Sequence, residues 1–113
     1  MAGSSGPRMT LPTQLVLRVL IDDPNREMYG LQLGEEAGLP SGTIHPILAR
    51  LEKAGWLTSR WEEIDVHAEG RPRRRYYRLN PNSLATVRAA LRRADPAFNA
   101  LGRFRPGRAG GIA

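Results

Sequence analysis

A mostly α-helical chain with one small β-hairpin is what the sequence predicts, and three observations predict it. Ile44, Ile47, Leu48 and Leu51 recur at i, i+3, i+4 and i+7, the spacing of one buried helix face. Gly55 follows as a helix stop, and then two segments rich in aromatic residues, 56–64 and 75–79, suit strands. Between them lies DVHAEGRPRR, a polar stretch holding Gly70 and Pro72 that is too long for a tight turn. Helix, turn, strand, projecting loop and return strand stand in the order of a recognition helix and its wing. The fold class is therefore a winged helix-turn-helix, with a C-terminal helix added for dimerisation.

The elements follow in order. Residues 1–9 read as a disordered leader, because Gly3, Ser4, Ser5, Gly6 and Pro7 offer nothing to pack. The winged helix-turn-helix is expected over 10–79. Its first helix, near 12–21, follows Thr10 or Leu11 and accepts Pro12 in its first turn, where a missing N–H matters little. Leu15 and Val19, joined by Val16 and Leu20, would form its buried face, and Asp22, Asp23 and Pro24 would end it.

Tyr29, Leu33 and Ala37 recur at steps of four and predict a second helix near 29–37. Gly30 and Gly34 each lower helix propensity by about 1 kcal/mol relative to Ala, so a close approach of another backbone is expected there. Gly38 takes the place of a terminating glycine with positive φ. The third helix begins at Pro40 or Ser41 and runs to 53, with Pro46 near enough to its start to be tolerated. A hairpin over 56–79 comes next. The last helix, near 82–95 within a C-terminal unit at 80–96, carries Leu84, Val87 and Leu91 on one stripe and stops at Pro96. Residues 97–113 read as a basic flexible tail that Phe98 and Phe104 could dock.

Length and charge narrow the function classes. With 113 residues the chain holds one domain with a modest core, which dimerisation would supplement. It lacks Cys, a signal-peptide pattern and any long apolar run, so a cytoplasmic protein without a membrane partner is expected. The net charge is +6, and it is polarised. Residues 19–69 hold 10 acids and 4 bases, whereas 70–113 hold 11 Arg and one acid, Asp95. Guanidinium is a planar fork of donors that fits phosphate oxygens, so the Arg-rich half points to nucleic acid. His45 and His67 lie 22 residues apart without Cys or an HExxH spacing, which argues against a metal site. Neither a nucleophile elbow nor a P-loop is present, so neither an enzyme nor a cofactor is expected.

Taken together, several segments resemble the PadR family of bacterial transcriptional regulators. They are Tyr29-Gly30, the run GLPSGTIHPIL over 38–48, Arg50-Leu51-Glu52, Gly55-Trp56-Leu57, Trp61-Glu62 and the wing GRPRRRYY over 70–77. The resemblance covers residues 12–90 and is closest to the short members, which lack a large C-terminal domain. It implies a homodimeric winged helix, usually a repressor, whose C-terminal helix makes the dimer interface. Two departures bear on the site. His45 stands where the family usually has Tyr before the helix-three Pro, and Pro40 where many members have Ser, which shifts capping to Ser41.

Candidate DNA-binding residues fall in two groups. Ser41, Thr43, His45 and Arg50 lie on the outward side of the third helix, near an N-terminus whose free N–H groups and dipole favour phosphate. Thr43 suits a base edge or thymine methyl, a phosphate, or helix-start chemistry. Arg50 would reach the DNA backbone or pair with Glu52, Glu35 or Glu36. In the wing, Arg71, Arg73, Arg74 and Arg75 put four Arg in five residues, a self-repulsion that solvent or phosphate must screen. Arg71 and Arg73 are expected at the minor groove or its phosphates, and Arg74 is a further DNA-binding candidate. Arg75 and Arg78 would serve the strand.

Leu84, Val87 and Leu91 are the expected dimer interface, with the first helix. Tyr29, Trp56, Trp61, Tyr76 and Tyr77 are assigned to packing. A small hydrophobic effector between subunits stays open, although the last helix has no Trp to stack on it. The expected function is a sequence-specific double-stranded DNA-binding regulator, a repressor on a pseudopalindromic operator. The alternatives are a protein-interaction module on a winged-helix shell and a nonspecific nucleic-acid binder.

Overall fold

The computed structural model describes residues 6–94. The expected tail at 97–113 and most of the expected leader lie outside them. Helix α1 covers Leu11–Asp22, and the Thr10 side chain accepts from the Thr13 N–H, so Thr10 is the cap. Strand β1 is Met28–Tyr29, α2 is Gly30–Ala37 and α3 is Ser41–Lys53. Strand β2 is Leu57–Trp61, the short helix α4 is Val66–Glu69 and β3 is Arg75–Leu79. A 3₁₀ turn at Pro81–Ser83 leads into α5, Leu84–Ala94.

The sheet has three strands in the order β1-β3-β2, all antiparallel. The expected hairpin is its larger part, with Leu57 opposite Leu79 and Trp61 opposite Arg75. The added strand pairs Met28 with Tyr77 and Tyr29 with Tyr76. Tyr29 thus precedes α2 instead of belonging to it, and its N–H donates to the Gln32 side chain. Gly38 and Gly55 end α2 and α3 with φ of 74° and 84°, as expected of terminating glycines. Behind Gly55, the Trp56 N–H reaches the Leu51 carbonyl and locks the turn into the sheet.

One apolar core joins every layer. Val16, Leu17 and Leu20 of α1 meet Leu33 of α2, the stripe Ile44, Ile47, Leu48 and Leu51 of α3, and Met28, Leu57 and Leu79 of the sheet. The buried face of α1 is rotated from the expected one. Leu15 and Val19 are only half-buried, because α1 is covered on a flank by α5 as well as by α2 and α3.

The same packing takes in the residues expected at the dimer interface. Val87 is fully buried and Leu91 is 3% exposed, both inside the same core, while Leu84 packs at its margin. A 113-residue chain has little apolar surface to spare, and this stripe closes the chain's own interior. The end of the expected leader touches this core. Met9 packs on the core, its carbonyl accepts from the Gln14 side chain, and Gly6 lies against the Trp56 ring.

Gly34 is the close approach that the glycine-rich second helix implied. Its carbonyl accepts from the Leu39 N–H, and a Cβ built on Gly34 would sit 2.8 Å from the Leu39 carbonyl oxygen. Neither side of that contact is a flexible side chain. Gly34→Ala is expected to destabilise by about 1–3 kcal/mol, read as a lower urea midpoint at unchanged slope. An unchanged midpoint would mean that the turn between α2 and α3 yields freely.

Candidate nucleic-acid interface

Helix α3 is divided cleanly along its length. Ile44, Ile47, Leu48 and Leu51 are buried, whereas Ser41, Gly42, His45, Pro46, Ala49, Arg50 and Lys53 are exposed. The exposed residues are mostly small at the N-terminal end, which lets the helix backbone come close to another surface. Thr43 is half-buried at the edge of this face.

The cap of α3 differs from expectation. Pro40 is the cap residue, its carbonyl accepts from the Thr43 and Ile44 N–H groups, and no side chain caps the end. Ser41 is instead the first helical residue. Arg50 enters no ion pair with Glu35, Glu36 or Glu52, because Glu36 is held by Arg26 and Glu52 by Ser59 and Arg75. That Glu52 contact ties α3 to the sheet and gives Arg75 the structural role expected of it.

Next to α3 lies the outer face of the sheet. A Cβ on Gly30 would fall 3.0 Å from the His45 ring, so the imidazole rests against the bare start of α2. Its neighbour Tyr29 meets Tyr76 edge-on at 5.7 Å, and the Arg74 guanidinium lies 4.4 Å from the Tyr29 ring centre. Arg60 lies over Tyr76 and pairs with Glu27 at 2.7 Å, bridging the middle strand. His45, Gly30, Tyr29 and Arg74 are therefore consecutive contacts that join the third helix to the base of the wing.

The wing is more ordered than a projecting loop. Asp65 caps α4 by accepting from the His67 and Ala68 N–H groups, and Gly70 ends it with φ of 69°. At the wing's base, both Arg71 Nη atoms donate to the Glu62 carboxylate, at 2.7 and 2.9 Å. The Arg74 N–H donates to the same carboxylate at 3.1 Å. These donors, Arg71 first, hold the Glu62 carboxyl down at about 2. A depressed carboxyl pKa strengthens the fold above the group's ordinary 4.5 and loses that contribution as pH falls through about 2. Glu62 is thus charged at any pH near neutral.

The expected wing arginines separate accordingly. Arg71 is committed to Glu62, Arg74 lies on Tyr29, and Arg73 is exposed and enters no ion pair among the described residues. Trp61, assigned to packing from sequence, is 56% exposed beneath the Arg75 guanidinium. Sequence reading missed Glu62 and the placement of Tyr29. No spacing in the sequence marks Glu62; its place follows from the hairpin register, which one step beyond Trp61 and Arg75 sets Glu62 across from Arg74. Among the described residues, no group of three or more His, Cys, Asp or Glu could hold a metal ion, and no helix is long and apolar enough to cross a membrane.

A family profile described as the transcriptional regulator PadR-like family matches residues 16–85, which run from α1 through the wing into the start of α5. The chain belongs to the PadR-like family of transcriptional regulators. PadR-like regulators bind DNA, and the residues brought together here lie within the matched span except for the rest of α5. Solved structures agree in fold. A PadR family transcriptional regulator from Eggerthella lenta DSM 2243 is 22% identical with a TM-score of 0.57, covering 83% of this chain and 84% of its own. A possible transcriptional regulator from Methanosarcina mazei Go1 is 16% identical with a TM-score of 0.59, covering 84% and 75%. No curated protein sequence matches the chain.

Proposed function

We propose that this PadR-like protein is a sequence-specific repressor, not an enzyme, that binds a pseudopalindromic operator as a cytoplasmic homodimer. The observation that carries the reading is the unbroken line of contacts from His45 through Gly30 and Tyr29 to Arg74. It sets the open face of α3 and the cationic wing base side by side, so one duplex meets both. Ser41, Thr43, His45 and Arg50 enter the major groove, while Arg73 and Arg74 follow the adjoining backbone.

The first helix, part of the expected interface, supports a dimer. Leu11, Leu15 and Val19 recur at steps of four along α1, with Leu11 exposed and the other two half-buried. An effector belongs to the same reading. An open groove of about 440 Å³, lined by Met9, Trp56 and Ala90 together with the polar Thr86 and Arg93, is one place within the chain where such a molecule could be sought.

The test is binding to a duplex enriched from a random pool, followed by fluorescence anisotropy across salt concentrations. Arg73→Ala and Arg74→Ala should each weaken binding to every duplex and flatten the salt dependence by about 0.9 per lost phosphate contact. A pool in which no motif is enriched would leave a nonspecific binder. An absence of duplex binding would favour a protein-interaction module.

A further inference from the structure

We infer that Glu62 is a positioning residue for DNA binding, and that Arg71 acts through it and not by touching the duplex. The inference rests on the DNA-binding reading above. Residues 62–74 connect β2 to β3, and a connection of that length has many conformations unless something closes it. Glu62 closes it twice. Its N–H donates to the Arg74 carbonyl at 2.8 Å, and its carboxylate accepts from the Arg74 N–H and from both Arg71 Nη atoms. The first of those Nη atoms also reaches the Pro72 carbonyl.

Two consequences follow for the wing. The Arg71 fork is filled by a bidentate partner whose side chain is only 15% exposed, so a phosphate would have to displace that carboxylate. Arg74 has its backbone fixed by Glu62 while its guanidinium lies against Tyr29, beside the open face of α3. An acid inside an arginine cluster thus sets where the remaining cations point.

This gives a prediction of unusual sign. Removing a carboxylate near a polyanion should strengthen binding if only net charge matters. Loss of a positioning group should weaken it. Glu62→Gln keeps the shape and removes the charge that holds the Arg71 fork.

The experiment uses the full chain, amide exchange by NMR, and a selected duplex of about three helical turns. In Glu62→Gln, the Arg74 N–H should exchange faster without DNA, and duplex affinity should fall about tenfold with an unchanged salt slope. Arg71→Gln should do the same, and the double variant should be no weaker than either single one, because both break one contact. If Glu62→Gln does not fold, Arg71→Gln reads the same link alone. Unchanged Arg74 exchange, or tighter binding by Glu62→Gln, would overturn the inference. So would an Arg71→Gln salt slope lower by about one, which would put Arg71 on a phosphate. Should the wild-type chain bind no duplex, the regulator reading falls and the positioning role with it, while Arg74 exchange still reports the contact.

Discussion

Leu91→Ala is expected to lower the unfolding free energy by about 2–5 kcal/mol, by the same amount at low and high protein concentration. Leu91 is 3% exposed and stands in one core with Val87, Leu17 and Leu20. Truncation would remove methylene groups from a packed interior and leave a cavity that fixed neighbours close only in part. A residue whose burial came from a partner subunit would behave differently. Its loss would weaken association, and the apparent stability would then depend on protein concentration. Urea unfolding at two concentrations a hundredfold apart separates these cases. A Leu91→Ala chain with wild-type midpoint at high dilution would assign the stripe of α5 to the dimer interface.

The sequence was most legible where structure is periodic and local. The stripe of α3 and the terminating roles of Gly38 and Gly55 follow from spacing and from backbone conformations that glycine adopts readily. Alternation around Tyr77 and Leu79 likewise marked a strand of the hairpin. Strand β1 was not legible, because two residues have no period. Tyr29 also shares a spacing of four with Leu33 and Ala37, although only those two lie on the buried face of α2. The wing helix carries its own punctuation, Asp65 before it and Gly70 after it, inside a stretch whose polarity reads as loop.

Other features needed long-range information. An apolar stripe such as Leu84, Val87 and Leu91 says that a face is covered, not whether the cover is the same chain or another. Four arginines in five residues say that charge is concentrated, yet one of them is neutralised by an acid nine residues upstream in sequence and adjacent across the hairpin. On α3, the outward placement of Ser41, His45 and Arg50 was legible from the helix period, while the seat of the His45 ring on Gly30 depends on how two helices cross.

That seat makes His45→Ala the most informative change on α3. His45 lies one turn beyond Ser41 and one turn before Ala49, on the exposed face of α3. Its ring is the largest side chain on the N-terminal half of that face and is steadied against Gly30. A ring held in place can favour one base edge, since a flexible side chain would adapt to several. His45→Ala should therefore change which base is preferred at one or two positions, each by about 1–3 kcal/mol, in a selection from random duplexes. Thr43 is half-buried at the margin, so Thr43→Ala should shift the motif less and lower overall affinity more evenly. Alanine at either position leaves the buried stripe of α3 intact, so the folded fraction should match wild type. Enrichment of one and the same motif by wild type and both variants would make these two side chains positioning groups. Base discrimination would then fall to Ser41, Arg50 and the small residues between them.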